Sequence, residues 1–379
     1  MSHGLKKAFL YIAVAAYALV RGKATKIPST VSKVLVIQMA KLGDMVCTTP
    51  VFHAIKQTYP KATVVVLGNK VNKEVLAGNS DVDEYWVFDG IKSVKNRIRT
   101  AGFDAVILTG GPDTASLAAA FLADVPLIVT PRIEGGISPL ADVWYKRMAN
   151  YAVQVPHTMT KYAPREYLRL LEPLGIHTED TKKFVYYTDD AKARIAEFLE
   201  TEHISNTHPR IGLLPGAGNK VKRWVPERFA EVADLLQQDG AHLILIGGPA
   251  DKEDAEKVLS HMKHRDHVSD ACAVFSLDET KALIASLDLI IGVDTGPIYL
   301  AEALGIPTVD ITGPIDEREQ PPIGPRNVVV TPPEPRVPQL AVMNAHRYNQ
   351  EEVDRQIESI TTDMVITAVR KLLKETMHA

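Results

Sequence analysis

From Lys33 onward the chain repeats one pattern: a short aliphatic and β-branched run, a polar turn, then a segment of helical spacing. KVLVIQ, ATVVVLG, EYWVFD and FDAVILT make a first series. RIGLLPG, AHLILIGG, LDLIIGV and PTVDITG make a second, after the charged helical stretch DDAKARIAEFLETEH. Strands buried on both faces of a parallel sheet read as continuous apolar runs, and the helices between them are the crossovers. The repetition predicts an α/β protein with two Rossmann-like domains. The expected division is an N-terminal segment over residues 1–30, an N-terminal domain over 31–190 and a C-terminal domain over 191–379, with the boundary between 180 and 205.

A chain of 379 residues has room for two such domains, and 46% hydrophobic against 23% charged residues can fill their cores. A net charge of −3 leaves no electrostatic footprint for nucleic acid. Cys47 and Cys272 stand in no metal or redox spacing and fit a reduced, cytoplasmic compartment. The N-terminus is less ordinary: LKKAFLYIAVAAYALVRGKATK carries an apolar run over residues 9–20, flanked by Lys6, Lys7, Arg21, Lys23 and Lys26. A membrane span needs about 20 apolar residues, so the run is short for one. Three readings fit it: a helix lying in a membrane interface with its cations on anionic head groups, a signal peptide, and a helix packed on the protein's own surface.

Parallel sheets bind ligands beyond the carboxyl ends of their strands, and four segments fall there. In AKLGDM, Gly43 permits a tight backbone and Asp44 is either a helix cap or a base. TTPVFHAIKQTYP offers Thr49 as the N-cap and Pro50 as the first helical residue, which leaves Asp44 for chemistry. In LLPGAGNKVKRWVPE, Gly216, Ala217 and Gly218 form a turn whose N–H groups can face a diphosphate, with Lys220, Lys222 and Arg223 behind it. The plainer reading is a solvated basic loop. In LIIGVDTGPIYLAEALG, Asp294 or Thr295 caps a helix whose start, with Gly296 and Pro297, presents the positive end of a dipole. VDITGPIDEREQPPIG turns at Gly313 towards the same ligand's distal parts, and Asp251, Lys252 and Glu253 are weaker candidates for its ribose.

No G-x-G-x-x-G is present, which disfavours a dehydrogenase. His261, His264 and His267 drift around a helix and read as a solvated face, so no metal site is expected. The middle stretch from Thr130 has weaker strand periodicity, and its basic and aromatic residues read as an acceptor groove or as a solvated surface.

Taken in order, VLVIQMAKLGDMVCTTP, LLPGAG…KRWVPERFAEVA, LILIGGP and LIIGVDTGPIYLAEALGIPTV…GP resemble glycosyltransferase family 9, which includes the ADP-heptose:lipopolysaccharide heptosyltransferases. The resemblance runs over residues 33–330. It implies the GT-B fold, two Rossmann-like domains across a central cleft, with no metal and no cofactor beyond the nucleotide-sugar substrate. It also implies a tail helix, about residues 362–375, packed back on the N-terminal domain. By position, the family's base falls on Asp44, its phosphate-binding lysine on Lys222 and its diphosphate motif on Asp294, Thr295 and Gly296. Tyr299 stands where members usually carry histidine, and is a possible donor contact that cannot carry positive charge.

The chemistry implied is an inverting transfer. A carboxylate takes the acceptor hydroxyl's proton as the sugar bond forms, while Lys222 and N–H groups stabilise the leaving diphosphate. The expected partners are a nucleotide-sugar donor, with ADP-heptose the leading choice, and a glycolipid or oligosaccharide acceptor, at the cytoplasmic face of the inner membrane. Two other readings are a GT-B-like nucleotide-sugar epimerase and a non-catalytic nucleotide-sugar-binding protein, the latter motivated by Tyr299.

Overall fold

A computed structural model describes residues 3–111, 113–134, 143–342 and 348–377. The chain divides at Lys183/Phe184 into two compact units, each built on one parallel sheet. The first sheet comprises β1 (Lys33–Gln38), β2 (Thr63–Gly68), β3 (Glu84–Val87), β4 (Ala105–Leu108), β5 (Leu127–Glu134) and β6 (Val153–Thr158), in the order β3-β2-β1-β4-β5-β6. The second comprises β7 (Arg210–Leu214), β8 (His242–Leu245), β9 (Val268–Asp270), β10 (Leu289–Val293), β11 (Thr308–Ile311) and β12 (Asn327–Val330), in the order β12-β11-β10-β7-β8-β9. Both are the doubly wound order, whose direction of winding reverses between β1 and β4 and again between β7 and β10. Those two switch points are where such sheets open a crevice for ligands.

The strands that read most plainly in sequence are those buried on both faces. Residues 34–37 of β1 and all of β10 are buried. β5, β6, β9 and β12 are additions to the sequence-based list. Pro131 and Pro156 interrupt β5 and β6. A proline cannot donate to a ladder, so it is tolerated where a strand has a neighbour on one side only. β4 pairs with β5 only over residues 127–129, and β6 is the sheet's edge.

One helix starts earlier than its punctuation suggests. It runs Leu42–Thr58, directly after the β1 loop, so Thr49 is not its cap and Pro50 lies inside it. Pro50 lacks the N–H that would reach the Val46 carbonyl, and the Thr49 hydroxyl donates to that carbonyl instead, at 2.7 Å. The helix survives a mid-sequence proline because its neighbour replaces the missing donor.

The N-terminal helix His3–Arg21 is two-faced. Val14 is buried in the first core, and Leu10, Tyr11, Tyr17 and Ala18 pack against it. The Tyr17 hydroxyl donates to Asp124 at 2.6 Å, and Arg21 donates to the Phe121 and Val125 carbonyls. The opposite side carries exposed Leu5, Phe9, Ile12, Leu19 and Val20. Among the described residues no helix is long and apolar enough to cross a membrane.

The tail helix Thr362–Met377 packs within its own unit: Val365, Ile366, Val369 and Leu372 are buried in the second core, beside the helix Pro226–Gln238 and strands β11 and β12. The Trp224 indole and the Arg228 guanidinium both donate to the Ile360 carbonyl just before it, which anchors its approach.

Candidate active site

In the first unit, Asp44 is the third residue of the helix that follows β1, and it is half-buried. Its carboxylate accepts the Lys41 N–H at 3.1 Å, so it does cap the helix, and Thr49 is buried several residues further on. The base reading therefore no longer rests on Thr49 being the cap. An ionised carboxylate has about four acceptor positions, so one capping bond does not preclude proton abstraction. The loop is fixed by side chains that the sequence reading passed over. Gln38, fully buried, accepts the Ala40 N–H at 3.0 Å and donates to the Thr48 hydroxyl at 3.0 Å. Asn69 and Asn72 both donate to the Ala40 carbonyl, at 2.8 and 3.0 Å. A Cβ on Gly110 would lie 2.5 Å from the Gln38 side-chain oxygen, so the β4 loop closes over the β1 loop at this switch point. Gly43 is buried.

In the second unit the β7 and β10 loops meet. The Lys222 ammonium, at the end of the short 3₁₀ turn Lys220–Lys222, lies 2.5 Å from Asp294 Oδ2. The Tyr299 hydroxyl donates to the other Asp294 oxygen. Asp294 and Tyr299 are both buried, and Lys222 is three-quarters covered. Tyr299 therefore faces Asp294 with its hydroxyl. Asp294 does not cap the following helix, Gly296–Leu304; Thr295 holds the capping position with no side-chain bond. Pro297 has no N–H, so its part at this helix start is shape rather than a hydrogen bond to an anion.

Trp224, buried edge-on against Phe229 at 5.0 Å, pins the segment behind Lys222. Arg223 turns away to Asp254 at 2.7 Å, and burial pushes that carboxyl's pKa up while Arg223 pulls it back. Lys220 is exposed.

Gly216 is required by close approach: a Cβ there would lie 2.2 Å from Asp251 Oδ1, and one on Gly247 would lie 2.7 Å from Asp251 Cβ. Asp251 also accepts the Gly248 N–H at 2.9 Å, which holds its carboxylate in the β8 loop against Gly216 of the β7 loop. Glu253 faces solvent and pairs with Lys257 at 2.7 Å. Gly313 follows β11 in the left-handed region at φ 55°, as the turn requires. His261 pairs with Glu227 at 3.2 Å, and the three histidines form no metal-holding group among the described residues. Part of the middle stretch read as an acceptor groove, residues 135–142, lies outside the described residues.

Two doubly wound sheets, with loop residues gathered at each switch point, define a protein of the GT-B class. A family 9 glycosyltransferase from Veillonella parvula shares the fold at a TM-score of 0.75 and 22% identity, over 91% of this chain and 98% of that one. The ADP-heptose lipopolysaccharide heptosyltransferase II of E. coli does so at 0.72 and 19%, over 90% and 99%. The chain belongs to glycosyltransferase family 9 (heptosyltransferase), whose profile matches residues 91–347. Lipopolysaccharide heptosyltransferase 3 of Escherichia coli K12 is 27% identical over 352 residues, 88% of this chain and 96% of that protein.

Proposed function

We propose that this chain transfers heptose from ADP-heptose to a lipopolysaccharide-core or related glycan acceptor, with inversion at the anomeric carbon. The observation that carries the reading is the Lys222–Asp294 pair at the β7/β10 switch point, inside the segment that matches the family. A leaving ADP gains charge as the glycosidic bond breaks. A lysine beside a helix N-terminus supplies the compensating charge in a largely water-excluded place. Asp44 takes the proton of the attacking hydroxyl, and attack opposite the leaving group inverts the centre. The names of the relatives support heptose and a lipopolysaccharide acceptor.

The first experiment is nucleotide release from ADP-heptose and a panel of ADP-, UDP- and GDP-sugars, with a core-oligosaccharide acceptor present. ADP release from ADP-heptose, a product of inverted configuration and unchanged turnover after chelation are the expected results. Release only from a different donor, or turnover that chelation abolishes and metal restores, overturns the corresponding part. Tight ADP binding with no transfer to any acceptor would instead favour the non-catalytic reading.

We also infer peripheral association with the cytoplasmic face of the inner membrane. Leu5, Phe9, Ile12, Leu19 and Val20 form one exposed stripe at helical spacing, on the side opposite Val14, with Lys6 beside it and Lys23 and Lys26 just past the helix end. An apolar stripe rimmed by cations fits an anionic lipid surface.

A further inference from the structure

Asp310 is an ionisable residue in an apolar strand. It lies within β11, opposite Gly292 of β10 and Val329 of β12, and is fully buried. Neither of its carboxyl oxygens has a hydrogen-bond partner among the described residues. Strand alternation turns Val309 and Ile311 into the core shared with the tail helix. Asp310 therefore belongs to the other face of β11, and the helix Gly296–Leu304 also packs on this strand. That helix begins at the Asp294 cluster.

An ionised, unpartnered carboxylate in such a place is strongly unfavourable, so the acid form prevails. Burial is the main cause of a pKa well above the ordinary value; Asp294 and Glu302 push the same way and Lys222 opposes them. Asp294 thus has two partners in place, Lys222 and Tyr299, and a third carboxyl close enough to interact electrostatically but bonded to nothing.

We propose that Asp310 is a positioning residue of the donor site, the hydrogen-bond partner to which Asp294 turns when Lys222 leaves it for the donor's diphosphate. The inference rests on the reading of Lys222 as the diphosphate cation. Drawing that ammonium towards a diphosphate strips Asp294 of its counter-charge and leaves a buried carboxylate beside an incoming anion. The Tyr299 hydroxyl keeps one oxygen satisfied, and the Asp310 O–H can donate to the other. Two neighbouring carboxyls then hold one proton and one negative charge between them, since nearby like charges resist double ionisation. The charged groups acting on Asp310 are Asp294 beyond β10, Lys222 from the 3₁₀ turn and Glu302 from the helix; β12 places Val329 opposite. Donor binding should therefore need the shared proton and weaken once pH rises far enough to remove it.

The test is ADP binding by calorimetry on the full chain, followed as a function of pH from neutral to alkaline conditions. Asp310→Asn keeps an N–H donor and cannot ionise, so it should bind ADP like the parent at neutral pH and lose the parent's weakening at high pH. Asp310→Leu has no donor and should weaken ADP binding at least about tenfold. Parent-like pH dependence in Asp310→Asn, or parent-like affinity in Asp310→Leu, overturns the proposal. If Asp310→Leu fails to fold, the Asp310→Asn profile decides. Lys222→Ala separates the two levels: undiminished ADP binding sinks the donor-site reading itself. Lost binding there, with both Asp310 variants behaving as the parent, sinks this inference alone.

Discussion

Lys222 and Asp294 are 72 residues apart in sequence and 2.5 Å apart at their charged ends, joined because β7 and β10 are neighbours in the sheet. The site thus holds its cation on an internal anion. Lys222→Ala is expected to cut turnover on the order of 10²–10³-fold, the usual cost of losing one preorganised charge stabiliser. It should also lower stability by about 1–3 kcal/mol, because Asp294 keeps only Tyr299. Steady-state kinetics and urea unfolding measure the two, and unchanged turnover removes Lys222 from the mechanism.

Asp44 both caps a helix and is assigned the proton. Asn keeps a side-chain oxygen for the Lys41 N–H but cannot act as a base at neutral pH. Asp44→Asn should therefore lower transfer by about 10²–10⁴-fold while leaving ADP affinity and melting temperature near the parent's. A large loss of stability with little loss of transfer would make Asp44 structural only.

Thr49 and Pro50 make a separable prediction about folding. Thr49→Val removes the hydroxyl that donates to the Val46 carbonyl and should cost about 1–3 kcal/mol. Adding Pro50→Ala restores a backbone N–H at the position Pro50 leaves vacant, and should return part of that loss. Strictly additive effects in a double-mutant cycle would show that the hydroxyl does not stand in for the proline.

His157, buried in β6 with no partner for Nδ1 among the described residues, has its pKa pushed down to about 4, chiefly by burial; Arg169 also lowers it and Glu166 opposes. Its unfolded value is about 6.5, so between the two the unfolded chain binds the proton that the folded chain refuses. Stability therefore falls as pH drops below about 6.5, by about 2 kcal/mol at pH 5 and about 3 kcal/mol at the limit. His157→Phe should flatten that part of the curve. Identical pH dependence of urea midpoints in both proteins would refute it.

The N-terminal stripe can be tested without removing the helix, which matters because Val14 belongs to the core. Phe9→Ser with Ile12→Ser removes two exposed apolar side chains, each worth about 1.5–3 kcal/mol when fully buried. Binding to vesicles containing phosphatidylglycerol should fall at least about tenfold, with an unchanged melting temperature. Equal binding by both proteins counts against the lipid surface.

Legibility in the sequence followed burial. β1, β4, β7 and β10 were plain because both faces are covered, which forces uninterrupted Val, Ile and Leu. β5 and β6 were obscured by Pro131 and Pro156, β9 by its three residues and β12 by being only partly buried. Thr49–Pro50 imitates a helix start, and only the Val46 carbonyl shows that the hydroxyl serves a different end. Lys222 and Asp294 were each recognisable in their loops. Their mutual bond, and the nearness of Asp310, depend on strand order, which no local stretch encodes. Nothing local in PTVDITG sets Asp310 apart; its burial depends on its neighbours in the sheet.

Asp251 and its two glycines impose an order on mutational history. Any side chain at Gly216 or Gly247 collides with Asp251, at its carboxylate in the first case and at its Cβ in the second. Neither glycine can drift while the aspartate remains, and alanine at 251 would not free them, because its Cβ would still lie 2.5 and 2.7 Å from the added atoms; only glycine there would remove the obstacle. A lineage leaving this arrangement must change position 251 first, and a library aimed at new donor preferences that randomises the glycines alone would sample mostly misfolded chains.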